Sequence, residues 1–467
     1  MPNAARSTPA GAPGPWRREV GATVALAVPV ALTQLAQLAI GTTDVIMMGW
    51  LGPEALAAGA LGSHVYILPT LFAVGVLTAV SPLAAQARGA HQPREMRRAV
   101  RQGLSVALVL GLPFMVLMWQ AEAILLGLGQ DAAAAAVAQD YVRAVVWGLV
   151  PSLWFMVLRI TVAVLDRPNA ALVFMALGIP LNAFTNWVLM FGNLGFPALG
   201  VVGAGISSSI VNTAMFAGLL AYVLLARRTR RYGFLDRLWR PDWPLFVETL
   251  RVGLPIGVTL VMEIALFTAA VVLMGLIGTN ALAANAIASQ LAAFTFMIPL
   301  GIAQAATIRV GLFVGRRDPA GVVRAGWVAL ALAEAVMVCT AFVFWFAPMP
   351  LIDVFLDLGA AASVPVAALA VQFLAVAAVF QIFDGAQVVG IGALRGIKDT
   401  RVPMLIAAVG YWVIGIGAAL LFAFQLGFGG VGVWIGLAAG LAVVSVMAVA
   451  RFHVLTQRML RPAPVPA

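Results

Sequence analysis

Four carboxylic acids stand inside long apolar runs of a 467-residue chain: Asp44, Glu263, Glu334 and Asp384. An ionised group in such a run is costly, so each must be protonated, bind a cation or face a wet cavity. No Lys or Arg is expected at mid-span to neutralise them. Asp44 lies in GTTDVIMMG beside Thr42 and Thr43, and the later segment IPLNAFTNW supplies Asn182 and Asn186. Those asparagines are four apart and share one helix face. An acid, two amides and a hydroxyl such as that of Thr43 suit a hard-oxygen cage for a small cation, or a hydrated-proton site. The same residue types also bond helices to one another, and the sequence leaves both uses open.

Glu263 sits in LVMEIALF and Asp384 in VFQIFDGAQVVGIGALRG, where Gln381 and Gln387 flank the acid three residues to either side. Two such carboxylates would hold one Na⁺ or share one proton. Asn285, Ser289 and Gln290 add polar groups nearby in sequence. Glu334, in ALALAEAVM, has no evident partner; it is a substrate contact or a neutral acid against a neighbouring carbonyl. The single Cys339 excludes an intrachain disulfide. His64, His91 and His453 are scattered, which argues against a zinc site, and no cofactor beyond a coupling ion is expected.

Long apolar elements must position these groups. The chain is 63% hydrophobic and 10% charged, against about 25% charged residues in a soluble domain. That composition implies a polytopic membrane protein. A span takes about 20 residues, and the apolar runs place twelve of them, near 20–46, 55–82, 98–120, 139–163, 169–191, 201–226, 246–274, 282–309, 320–347, 366–392, 403–424 and 430–454. The first run reads as a retained helix, not a cleaved leader.

An internal repeat organises the spans. Residues 27–64 return 226 positions later at 253–290: Pro29 falls on Pro255, Gly52 on Gly278, and Ala55–Ala58 on Ala281–Ala284. Asp44 falls on Ala270 and Glu263 on Gln37, so each half carries its own acid at its own depth. A second echo pairs LGFPALGV at 194–201 with LGFGGVGV at 426–433. The expected fold is all-α, with twelve transmembrane helices in two parallel-repeat six-helix bundles around a central cavity. Its parts are a flexible tail (1–18), an N-lobe (19–226), a basic linker (227–245), a C-lobe (246–455) and a second tail (456–467). Pro29 and Pro255, at matched depths, are candidate hinges, since a mid-helix proline removes a backbone bond and bends the helix.

Charge sets the orientation. Arginines collect in the tail and in alternate loops, among them Arg94, Arg97 and Arg98, Arg159 and Arg167, Arg316 and Arg317, and Arg395 with Lys398. Glu54, Glu122, Asp131, Asp353 and Asp357 mark the opposite side. This bias places both termini in the cytoplasm of a multi-pass protein, expected in a bacterial inner membrane. The linker run RRTRR, with Trp239 and Trp243, fits anionic lipid rather than nucleic acid. No GxxxxGK[ST] loop is present, which excludes ATP-driven export by this chain. No HExxH, GxSxG or His-centred set points to an enzyme.

The segments QLAQLAIGTTDVIMMGWLG (34–52), PLAAQARGA (82–90), FMIPLGIAQAATIRVG (296–311) and FDGAQVVGIGALRGIKDTRVPM (383–404) resemble the multidrug and toxic compound extrusion (MATE) transporters, in their NorM-like bacterial branch. The resemblance covers nearly the whole chain after the tail. It implies secondary antiport, in which inward Na⁺ or H⁺ drives export of bulky, often cationic, amphipathic compounds by a monomer. The family's first-helix acid matches Asp44, its fifth-helix asparagine pair Asn182 and Asn186, and its cation-binding Glu and Asp match Glu263 and Asp384. One departure is Asn285, with Ala284 and Ala286, where relatives resemble Ala-Ala-His-Gln. Two other readings stand beside it: a lipid-linked precursor flippase, disfavoured by the expected lack of mid-span Arg or Lys, and a non-transporting membrane scaffold.

Overall fold

The computed structural model describes residues 14–234, 242–357, 359–360 and 363–461. Residues 1–13 and 462–467 of the two expected tails, and Arg237, Trp239 and Arg240 of the linker, lie outside the described residues. Among those described are 12 helices long and apolar enough to cross a membrane. They are α1 (Pro15–Leu51), α2 (Pro53–Gly89), α3 (Pro93–Met118), α4 (Ala132–Val164), α5 (Pro168–Phe191), α6 (Gly200–Leu225), α7 (Trp243–Ile277), α8 (Thr279–Gly315), α9 (Pro319–Phe346), α10 (Val364–Gly396), α11 (Arg401–Gln425) and α12 (Gly429–Leu460). The expected spans are all present, though α1 begins at Pro15, within the stretch read as a flexible tail.

Local chemistry sets the ends. Proline occupies the first turn of several helices, where its missing N–H costs nothing; Pro53, Pro93, Pro168 and Pro319 are examples. Between α1 and α2 stands Gly52 (φ 117°, ψ 170°), and between α7 and α8 stands Gly278 (φ 149°, ψ 166°). That backbone region is open to glycine alone, which is why the chain can turn there with no intervening loop. Other left-handed residues recur at the repeat offsets. His91 (φ 58°) pairs with Arg317 (φ 56°) after α2 and α8, and Asp166 (φ 57°) with Lys398 (φ 63°) after α4 and α10. The two halves therefore share turns as well as sequence.

Some spans are broken. A 3-10 turn at Val146–Gly148 interrupts α4, and α11 contains π-helical segments at Val409–Gly415 and Leu421–Gln425. Two large apolar cores form, one mostly from α1–α6 and one mostly from α7–α12. Residues Ile302–Ile308 of α8 join the first core.

The halves meet through glycines at matched positions. A Cβ on Gly301 of α8 would lie 2.7 Å from the Ala31 backbone nitrogen of α1. The repeat equivalents, Gly75 of α2 and Gly257 of α7, approach backbone to backbone in the same way. Nearer the helix ends, Gly89 abuts the Leu312 carbonyl and Gly315 abuts the Gln86 carbonyl. Described polar contacts between the halves gather at this same end. Arg309 donates to Glu19 at 2.6 and 2.8 Å, Gln86 Nε2 donates to the Gly396 carbonyl at 2.9 Å, and Arg98 pairs with Asp242. The two bundles are thus zipped together at the face where α1 and α7 begin and α2 and α8 end.

Candidate functional site

In the first half the site is built on α1, α5 and α6. Asp44 Oδ1 accepts from Asn182 Nδ2 at 2.9 Å and from Asn186 Nδ2 at 2.7 Å. Its Oδ2 accepts from Ser208 Oγ at 3.1 Å. Both asparagines are fully buried on one face of α5. Behind them Thr185 and Ser207 share a 2.5 Å hydrogen bond. The three residues read from sequence do come together. The oxygen cage does not, because the amides present N–H donors to the carboxylate. The Asn186 Oδ1 is buried without a partner. Thr43 is also corrected: its hydroxyl turns back to the Ala39 carbonyl at 2.9 Å, the i−4 bond typical of helical Thr. Ser208 supplies the third contact. Its signal in the sequence was the run Ser207-Ser208-Ser209 within an otherwise apolar helix.

In the second half Glu263 lies near the middle of α7 and Asp384 on α10. Asp384 is 6% exposed, and Glu263 lies within electrostatic range of it. Tyr411, fully buried in the first π-helical segment of α11, is in the field of both acids and of Arg395. Arg395 lies within electrostatic range of Glu263. The guanidinium read as a loop charge stands in the last turn of α10. Gln387 Nε2 donates to the Tyr411 hydroxyl at 2.6 Å, and Gln387 Oε1 is buried and unpartnered. Gln381 turns its Oε1 to Thr295 Oγ1 at 3.1 Å on α8 and leaves its Nε2 unpartnered. Tyr411 was invisible in the sequence, since an aromatic in an apolar span carries no polar signature.

The supporting residues divide. Ser289 donates to Asn285 Oδ1 at 3.5 Å; no described hydrogen bond ties either of them, or Gln290, to Glu263 or Asp384. Glu334 of α9 stands against Gly385, with its Oε1 buried and unpartnered. It therefore borders the helix that carries Asp384. Pro29 and Pro255 lie inside unbroken α1 and α7. Four residues on, Thr33 donates to the Pro29 carbonyl at 2.7 Å and Thr259 to the Pro255 carbonyl at 2.8 Å. This shared bond favours a bend at each proline.

The expectation of no mid-span cation is wrong at Arg159. It belongs to α4, not to the loop after it, and is 8% exposed. Its Nη1 donates to Gln34 Oε1 at 2.7 Å and to Gln37 Oε1 at 3.3 Å, both on α1.

The MatE family model matches residues 29–188 and again residues 255–421. Its two starts fall at Pro29 and Pro255, the beginning of each repeat. A probable multidrug resistance protein NorM of Mesorhizobium japonicum is 48% identical over 439 residues, 94% of each chain. A protein of the same description from Brucella suis is 44% identical over 440 residues, 94% of this chain and 93% of its own. Among solved structures, an outward-facing conformation of a multidrug resistance MATE family transporter of the MOP superfamily superposes with a TM-score of 0.85. It is 24% identical and is covered over 97% of its length by 95% of this chain.

Proposed function

We propose a function on the premise that the chain belongs to the MatE family: it is a secondary antiporter that exports bulky, often cationic, amphipathic drugs in exchange for Na⁺ or H⁺. One observation carries the reading. Each repeated half carries its own carboxylate within a membrane-spanning helix, half-buried Asp44 in one and half-buried Glu263 with buried Asp384 in the other, and the halves are fastened to each other at one end.

In this reading the coupling cation enters the second half. Asp384 and Glu263 repel each other when both are ionised, so a cation or proton is favoured between them. The unpartnered Gln387 Oε1 is a third oxygen for a Na⁺ ion, whose hard charge prefers such donors. Arg395 limits how much negative charge the site keeps once the cation leaves. In the first half, three donors fix the Asp44 carboxylate, and it takes a proton, a cation or the cationic end of a drug. Coupling needs only that cation and drug favour different states of the pair of bundles. Pro29 and Pro255 bend the helices that carry Asp44 and Glu263, which makes α1 and α7 the moving parts. Glu334 serves as a further polar contact beside α10.

The chain sits as a monomer in a bacterial inner membrane with both termini in the cytoplasm, and the basic segment after α6 faces anionic lipid. The zipped face is then cytoplasmic and the protein is open outward. The test is flux: purified protein in liposomes, a fluorescent cationic dye on the cytoplasmic side, and a Na⁺ or proton gradient imposed separately. Dye movement driven by one gradient supports antiport and names the ion. Movement of a fluorescent lipid-linked precursor, with no dye movement, would make the protein a flippase instead.

A further inference from the structure

We propose that the groove between α4 and α6 seats one phospholipid whose zwitterionic headgroup ends in a primary ammonium, as in phosphatidylethanolamine. The inference goes beyond the export reading and does not depend on it.

Small residues let the two helices meet backbone to backbone. A Cβ on Gly205 of α6 would lie 2.7 Å from the Tyr141 carbonyl oxygen of α4. One turn deeper, the 3-10 turn at Val146–Gly148 breaks α4, and Ser209 of α6 satisfies the backbone groups there. Its Oγ donates to the Ala144 carbonyl at 2.8 Å and accepts from the Gly148 N–H at 3.1 Å. Beside this contact the larger side chains frame an open groove of about 810 Å³. The groove lies outside the bundle. Ser208 faces Asp44, whereas Ile206 and Ile210, which line the groove, are each about 160° round α6 from it. Ile210 is 43% exposed and Trp147, on the opposite wall, 61%. In membrane-spanning helices such a face meets lipid.

Charge selects the occupant. Asp140 and Arg143 line the groove three residues apart on α4, at the depth of Gly205. Arg143 is the only Lys or Arg in the loops and half-spans at the end of the bundle opposite the zipped face. None of the described ion pairs involves either residue. Arg143 instead stands over the Trp119 ring, 5.4 Å from Cζ to centroid, and Trp119 meets Trp147 edge-on at 6.0 Å. Indoles gather at the headgroup level of a bilayer. Two opposite charges on one helix face, about 5–6 Å apart at Cβ and not paired to each other, match a ligand that carries both. A guanidinium suits the phosphate. A carboxylate suits an ammonium two carbons away, provided that ammonium has N–H groups to donate; a choline head has none. Deeper along both helices the lining turns apolar through Trp147, Ile210 and Ala214, as an acyl chain requires.

The test is native mass spectrometry of the purified full chain in detergent, titrated with phosphatidylethanolamine, phosphatidylcholine or phosphatidylglycerol of identical acyl chains. Wild type should take its first phosphatidylethanolamine about tenfold more tightly than either other lipid, the scale of one charge-assisted hydrogen bond. Asp140→Asn should lower phosphatidylethanolamine to the level of phosphatidylcholine and leave phosphatidylcholine within about twofold. Arg143→Gln should weaken both about tenfold, because both carry the phosphate. Ala214→Trp fills the groove without touching either charge and should remove the first adduct; it also serves if a charge variant does not fold. Equal uptake of all three lipids by wild type, or unchanged selectivity in D140N, would overturn the assignment. Preference for phosphatidylglycerol would make the occupant an anionic lipid held by Arg143 alone, and the zwitterion assignment falls. A dimer that disappears in A214W would seat a second copy of the chain in the groove instead. None of these readouts is transport, so each outcome leaves the export reading to its own test.

Discussion

Gly89 of α2 and Gly315 of α8 stand in the same relation to each other's helix: each faces a backbone carbonyl of the other, Leu312 for Gly89 and Gln86 for Gly315. The four residues are two pairs at the 226-residue offset, so one contact is made twice about a single axis. A side chain at either glycine would collide with main chain, which cannot swing aside as a side chain can. Gly315→Ala and Gly89→Ala should each destabilise this closed face by about 1–3 kcal/mol, the usual cost of overpacking. Scanning fluorimetry should show lower melting temperatures. A cysteine placed at the zipped face, with Cys339 replaced, should label faster in both variants than in the parent. Unchanged labelling would mean that these glycines do not hold the halves together.

The prolines make an opposite prediction. A mid-helix proline costs roughly 3 kcal/mol against Ala, and Thr33 and Thr259 reinforce the same bend in α1 and α7. Pro29→Ala and Pro255→Ala should therefore raise thermal stability and slow dye export. If export is unaffected by both, α1 and α7 do not move as hinges.

Around Asp44 the contacts rank the variants. Asn186 donates at 2.7 Å, Asn182 at 2.9 Å and Ser208 at 3.1 Å. Hydrogen bonds to a charged group are worth about 1.5–3 kcal/mol. Export rates should fall most for Asp44→Asn, next for Asn186→Ala and Asn182→Ala, and least for Ser208→Ala. Thr43→Val should export like wild type, because its hydroxyl serves its own helix.

At the edge of the membrane, the Arg98 guanidinium holds the Asp242 carboxyl below its ordinary value, with Nη2 at 3.0 Å from Oδ1. A carboxylate depressed in the folded state stabilises above its unfolded pKa, about 4, and loses that contribution as pH falls through the lower folded value. The melting-temperature gap between wild type and Asp242→Asn should be constant above about pH 5 and close below about pH 4. A gap that persists in acid would assign Asp242 a packing role alone.

Much of this was legible in the sequence, for a physical reason. Twelve spans follow from the apolar length a bilayer demands. The repeat follows from positions where only one residue type fits, such as Gly52 and Gly278. Asp44, Asn182 and Asn186 could be grouped because amides and acids are rare in apolar helices. Ser208 was missed because serine is common in membrane helices, so its hydroxyl stands out less than an amide or an acid. Tyr411 looks apolar until Gln387 donates to it. Arg159 was placed in a loop because an arginine is usually solvated; only its bonds to Gln34 and Gln37 of α1 show that it is not.

The most direct test of the account measures exchange. In liposomes holding the purified protein, dye is driven across in one direction while opposite movement of Na⁺, by radioactive tracer, or of H⁺, by a trapped pH indicator, is counted. Wild type should move cation against dye in fixed proportion. Glu263→Gln should still bind dye but lose the linked cation movement. A Glu263→Gln protein that exchanges dye for cation at the wild-type rate would contradict the claim that the Glu263–Asp384 pair couples export to the ion gradient.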